Sequence, residues 1–231
     1  MIELYDETCL ECSKLITKKY STSFSTGIRA FDKRFHYPIY AIYGFVRYAD
    51  EIVDTFHEHD KTQLIANFRL ETATAIAQKI SLNPVLHAFQ LVVNQYQIDQ
   101  QLIEAFLKSM EMDLDKQTYD QQAYEEYIYG SAEVIGLMCL RIFCEGDDAR
   151  YQALVGYARK LGAAFQKINF LRDIRSDYEE RGRVYFPGVD FNSFTEQNKQ
   201  AIEADIQIDF DEGLKGIRLL PLPCRQGVYI A

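Results

Sequence analysis

An all-α bundle is the fold class this sequence predicts, and three observations predict it. Prolines number five in 231 residues, with none between Pro84 and Pro187, so long helices meet few forced breaks. Apolar residues recur at three- and four-residue steps, as at Val85, Phe89, Val92, Val93 and Tyr96, the spacing of one buried helical face. Strand-like alternation is scarce, which leaves helices packed on helices as the economical architecture. With 48% hydrophobic residues the chain can build a substantial core. No linker, composition shift or repeat divides it, so residues 1–231 are read as one domain.

At the N-terminus, the stretch MIELYDETCLECSKLITKKY is acidic at once and lacks a long apolar run, so neither a signal peptide nor a membrane span is expected there, and a cytoplasmic protein is. Five cysteines, an odd number, favour free thiols. Cys9 and Cys12 form one CxxC without a second pair or a nearby His, and are read as two positions on a helical turn. Pro38 in HYP marks a helix start, and SLNP at 81–84 ends another helix. CEGDDA at 144–149 reads as a turn, RGRVYFPG at 181–188 as the clearest loop, and LPLPC at 220–224 as the next.

A formal charge of −9 excludes a general nucleic-acid binder, because phosphate contacts need clustered Lys and Arg. A small phosphate ligand on a local patch stays open. Residues 38–57, placed on a helix at about 100° per residue, bring Tyr43, Arg47, Asp50 and Asp54 within about 60° of one another. Ile42, Val46, Ala49 and Val53 form the adjoining core stripe, and Glu51 lies farther round. Asp50 and Asp54 repel each other one turn apart unless a cation sits over them. Mg²⁺ suits such oxygen ligands, commonly taking one or two carboxylates plus phosphate and water. An exposed acidic end with Arg47 as intrahelical partner is the alternative.

A second stretch, GAAFQKINFLRDIRSDYEERGRVYFP at 162–187, repeats the pattern. Gly162, Gln166, Asn169, Asp173 and Asp177 share a face by the same spacing. Two such helices place four carboxylates across one cavity. Arg47, Arg172 and Arg183 then supply direct contacts to an anionic substrate, which describes a diphosphate site. The small residues Gly130, Ser131, Ala132 and Gly136 fit close helix packing or a channel for a long ligand.

These runs resemble the squalene and phytoene synthase family, the head-to-head prenyltransferases. The matching segments are YSTSF at 20–24, AIYGFVRYADEIVD at 41–54, YIYGSAEVIG at 127–136 and FQKINFLRDIRSDYEERGRVYFP at 165–187. The resemblance implies an isoprenoid-synthase helical bundle with an apolar channel capped by Mg²⁺, or Mn²⁺ in its place, and diphosphate. Asp50, Asp54, Asn169, Asp173 and Asp177 would hold the metal, and the four aspartates would be catalytic. Tyr20, Ser21, Thr22, Ser23, Tyr43, Arg47, Gln166 and Arg172 would contact prenyl diphosphate. In such enzymes an allylic cation joins the double bond of a second molecule, giving a cyclopropylcarbinyl diphosphate that ionises again and rearranges.

The resemblance therefore implies coupling of two geranylgeranyl diphosphates to phytoene in carotenoid biosynthesis. The alternatives are a C30 dehydrosqualene or squalene synthase using farnesyl diphosphate and a noncatalytic relative that binds or assembles. Ile28 stands where C30 relatives carry a bulky aromatic, which favours C40. NADPH is not expected, since no nucleotide-binding glycine loop is present. Lipid substrates imply peripheral membrane contact; oligomeric state is not implied. Three departures are visible. Glu133 replaces a glycine of the family pattern and is expected to alter the channel, Glu51 replaces a frequent Asp, and the chain ends where relatives enter a further helical region.

Overall fold

Short polar residues set the helix starts. In the computed structural model, which describes residues 2–115, 118–190 and 193–230, side chains of Ser21, Asp60, Asn83, Asp120, Asp147 and Thr195 each accept a backbone N–H in the first turn of the following helix. Such caps satisfy donors that have no partner inside the helix. The elements are α1 (Ile2–Tyr20), α2 (Thr22–Arg29), α3 (His36–Asp54), α4 (Lys61–Gln78), α5 (Pro84–Tyr96), α6 (Gln100–Asp115), α7 (Gln121–Ile128), α8 (Val134–Cys144), α9 (Asp148–Arg181), α10 (Glu196–Leu219) and α11 (Leu222–Ile230). A π-turn, Tyr129–Glu133, joins α7 to α8. Among the described residues no strand forms, and the loop after α9 makes one isolated bridge, Val184 to Thr118.

α3 is the central helix. It begins at His36, after a short 3-10 turn at Lys33–Phe35, and stops at Asp54, three residues short of the expected span. Ile42, Ala49 and Val53 are buried as the helical phase requires. Phe45 stacks on Phe89 of α5 at 3.8 Å and meets Phe68 of α4 and Phe106 of α6 at 5.5 and 5.4 Å. Four helices are thereby joined through one ring, as large apolar burial favours. Gly44 lets α1 approach, since a Cβ there would lie 2.9 Å from the Ser13 hydroxyl.

α9 runs for 34 residues, about 50 Å, and α10 lies antiparallel along it. Gly213 faces Leu161 and Gly216 faces Tyr157. Farther along, the buried Lys167 donates to Asp205 and Asp209, and Lys160 also donates to Asp209. These pairs fix the register, because sliding α10 would strand buried charges. LPLPC is only a kink: α10 ends at Leu219 and α11 resumes at Leu222 with Pro223 in its first turn. Cys9 and Cys12 sit on α1 as expected, and all five cysteines are free thiols. Among the described residues one helical run, Gln121–Cys144, is long and apolar enough to cross a membrane, and 56% of that apolar window is buried inside the bundle, as in a core helix.

The glycine seams give a paired test. Gly216→Ala would place its Cβ 2.2 Å from Tyr157 Cβ and is expected to lower unfolding free energy by about 1–3 kcal/mol in urea titration. Gly156→Ala on α9 meets nothing within 4 Å and should raise it by about 1 kcal/mol.

Candidate active site at one end of an apolar channel

A cavity of about 530 Å³ runs through the bundle, within the range of sites for small organic ligands. α3 lines it from Ile39 to Asp54, a length of about 22 Å. α2, α6, α7, α8, α9 and α10 supply the other walls, and Val228 of α11 closes one side. The lining is apolar over most of its length and charged at one end. At that end α3 contributes Arg47, Asp50 and Asp54, and α9 contributes Gln166, Asn169, Arg172, Asp173 and Asp177. The two helical faces expected from spacing therefore do converge on one cavity. Gly162 permits the approach of α9: a Cβ there would lie 2.9 Å from the Ala132 carbonyl oxygen.

The charges at this end pair with one another. Arg47 pairs with Glu51 and lies 3.9 Å from Asp50, so the intrahelical partnership open from the sequence is present. The guanidinium stacks on the Tyr20 ring at 4.6 Å. Its Nε is nevertheless buried without a hydrogen-bond partner, a donor available to an anion. Arg172 donates twice to Asp173, at 2.8 and 2.5 Å. Of the serine segment, Ser21 caps α2, and Thr22 and Ser23 lie exposed in its first turn, outside the cavity wall. Phe24 and Ile28 of the same helix do line it, and Tyr43 lies 5.3 Å from Phe24.

One carboxylate absent from the expected set completes the acidic end. Asp113 of α6 is buried and lines the cavity. It accepts from the hydroxyls of Tyr119 (3.1 Å), Tyr185 (3.2 Å) and Tyr127. Arg183 donates to its backbone carbonyl at 2.6 Å and lies 3.7 Å from its carboxylate and 3.9 Å from Asp54. Burial pushes the Asp113 carboxyl up, opposed by Arg183. The stretch SMEMDLDK carries no paired spacing on a shared face with another motif, and three of 16 tyrosines do not announce a cluster. Glu133 corrects an expectation. Its carboxylate receives Arg159 Nε at 2.5 Å, so it turns into an ion pair on the outer side and does not line the channel.

Asp50 is strongly perturbed. Burial first, then the charges of Asp54 and Asp113, push it up to about 7 against the pull of Arg47. The part of its side chain left open faces the cavity. Among the described residues no three His, Cys, Asp or Glu side chains form a closed metal cage. The oxygen-only donors, two on α3 and three on α9, fit instead a hard cation that completes its shell with substrate phosphate and water. Asp50, Asp54, Asn169, Asp173 and Asp177 are the residues that would hold it.

A helical bundle enclosing a long apolar channel with facing aspartate pairs at one end is an isoprenoid-synthase fold. The chain belongs to the squalene/phytoene synthase family, whose sequence profile matches residues 17–226. It is 26% identical over 196 residues to a 4,4'-diapophytoene synthase of Staphylococcus haemolyticus, covering 82% of this chain and 66% of that protein. A phytoene synthase of Rhodobacter capsulatus is 27% identical over 246 residues, with 97% and 70% covered. The chain thus spans about two thirds of the length of these relatives. A crystal structure of a dehydrosqualene synthase in complex with ligand superposes with TM-score 0.84 at 25% identity, covering 96% of this chain and 82% of that one.

The Asp50 carboxyl predicts a pH-dependent stability of the metal-free protein. Its unfolded value, about 3.9, lies below the folded value of about 7, so the fold holds this proton more tightly than the unfolded chain. The contribution is full below about pH 4 and is lost as pH rises through 7. Asp50→Asn should therefore melt at least about 2 °C above the wild type at pH 8, with the gap closing toward pH 4. Mg²⁺ at pH 8 should raise the melting temperature of the wild type and leave Asp50→Asn nearly unchanged. Asp113→Ala leaves Arg183 without its nearest carboxylate and should cost about 3–5 kcal/mol in chemical denaturation.

Proposed function

We propose that this protein is a Mg²⁺-dependent prenyltransferase that joins two prenyl diphosphates head to head, with geranylgeranyl diphosphate as substrate and phytoene as product in carotenoid biosynthesis. The observation that carries the reading is the channel itself: two aspartate faces meet at one end of a long apolar cavity. A diphosphate with an extended hydrocarbon tail is the ligand class that satisfies both ends. The named relatives, a phytoene synthase and a 4,4'-diapophytoene synthase, support head-to-head coupling as the reaction. A bound Mg²⁺ supplies charge neutralisation for the departing diphosphate.

The chain's own residues do the rest. Asp50, Asp54, Asn169, Asp173 and Asp177 orient the diphosphate end, and Arg47 and Arg172 exchange their carboxylate partners for phosphate oxygens as negative charge develops there. Departure of the diphosphate leaves an allylic cation, which adds to the double bond of the second molecule; loss of a proton closes the cyclopropylcarbinyl diphosphate. The apolar walls exclude water that would trap the cation. Tyr127, with its hydroxyl held by Asp113, presents a ring at the junction of the charged and apolar regions, where cations are favoured over ring faces. The reading requires no NADPH. Prenyl tails and the hydrocarbon product favour peripheral contact with a membrane surface.

Coupling of two farnesyl diphosphates is the second reading, favoured by the 25% identical dehydrosqualene synthase structure. A turnover assay with Mg²⁺ and no NADPH, offering each substrate separately, distinguishes them by the mass of the extracted hydrocarbon. A C40 product is expected, with loss of at least about 100-fold in Asp50→Ala and Asp173→Ala. A C30 product would move the assignment to the second reading, and no turnover by folded protein would sink both.

A further inference from the structure

We propose that Phe31, seated on Gly227, is the end-stop that sets the longest prenyl chain the channel accepts. The inference rests on the prenyl diphosphate reading and concerns the end of the channel opposite the aspartates. Phe31 comes just after α2 and lines the cavity, three residues beyond Ile28. Its ring packs on Phe143 of α8 at 5.1 Å, and Phe143 meets Phe35 edge-on at 5.5 Å. Phe31 and Phe143 form the terminal wall, with Phe35 packed behind Phe143.

Gly227 of α11 is what gives Phe31 its place. A Cβ at 227 would lie 2.0 Å from Phe31 Cδ1 and 2.2 Å from Cε1, closer than nonbonded carbons approach. Gly227 has no left-handed backbone angle, so the missing side chain, not backbone freedom, is the feature in use. The ring thus occupies the volume that any other residue at 227 would fill. Seat and ring are also tied through the backbone, because Asp32 N–H donates to the Pro223 carbonyl at 2.9 Å. Val228, the next residue, lines the cavity beside them. A methyl group at 227 therefore drives the ring off α11 and into the channel, which shortens it. A smaller residue at 31 lengthens it. The effect falls on the far end of the tail and leaves the diphosphate end untouched, so it discriminates by chain length.

Binding of non-hydrolysable C15, C20 and C25 prenyl thiolodiphosphates, measured by calorimetry with Mg²⁺, tests this without requiring turnover. Gly227→Ala should weaken C20 binding about tenfold or more and leave C15 within about twofold, the discrimination a hydrophobic pocket exerts on chain length. Phe31→Leu in the Gly227→Ala background should restore C20 binding, and Phe31→Ala alone should admit C25. Equal weakening of C15 and C20, or no change in either, in a Gly227→Ala protein with a cooperative melt overturns the end-stop. If Gly227→Ala does not fold, Phe31→Ala decides, and an unchanged C25 to C20 ratio overturns it. Wild-type protein that binds none of the three overturns the prenyl reading itself, which separates that failure from failure of the end-stop.

Discussion

Concentrating carboxylates at the end of an apolar channel is the constraint on which the rest of the structure depends. Asp50, Asp54 and Asp113 come from α3 and α6, and Asp173 and Asp177 come from α9. In a low-dielectric wall their mutual repulsion would exceed what a single helix pair suffers. Arg47, Arg172 and Arg183 answer it by pairing with Glu51, Asp173, and the Asp113 and Asp54 pair. The balance is incomplete, since burial and the neighbouring aspartates still push the Asp50 carboxyl up to about 7. A site arranged in this way gains most from a cation and an anion arriving together.

The apolar half of the channel imposes a different demand. Its walls must approach closely enough to exclude water without filling the space between them. Glycine meets that demand by bringing backbones together: Gly130 against the Ala105 carbonyl, Gly162 against Ala132, and Gly213 and Gly216 against Leu161 and Tyr157. The π-turn at Tyr129–Glu133 shifts the phase between α7 and α8. As a result Ser131, Ala132 and Ile135 reach the cavity, whereas Glu133 is carried to Arg159. Such insertions recur at functional sites because they re-aim side chains without ending a helix.

The two halves meet around Asp113. Tyr119, Tyr127 and Tyr185 turn their hydroxyls to it; the rings of Tyr127 and Tyr185 also meet Phe170, which stacks on Tyr185 at 4.1 Å, and Tyr119 packs on the other two tyrosines. The loop after α9 contributes Arg183 and Tyr185 and is pinned over the acidic end by the same carboxylate. A buried acid with this many donors holds its position, and through Arg183 it also positions Asp54.

The helices and the two aspartate faces were legible in the sequence because each is a local property, set by neighbours three and four residues away. The motif context was legible for the same reason and led to the family. The exact extent of the α3 helix was not, since its end is set by the tertiary surroundings of Asp54 and Thr55. Nor did the sequence show that Asp113 belongs to the site: its partner Tyr185 lies 72 residues away. From the sequence Glu133 left the shape and polarity of the channel open, and the π-turn decided it by giving Glu133 to Arg159. The channel's apolar end was decided by tertiary structure alone, where Gly227 and Phe31 from opposite ends of the chain share one volume. Periodicity tells which side of a helix is buried, and only packing tells what it is buried against.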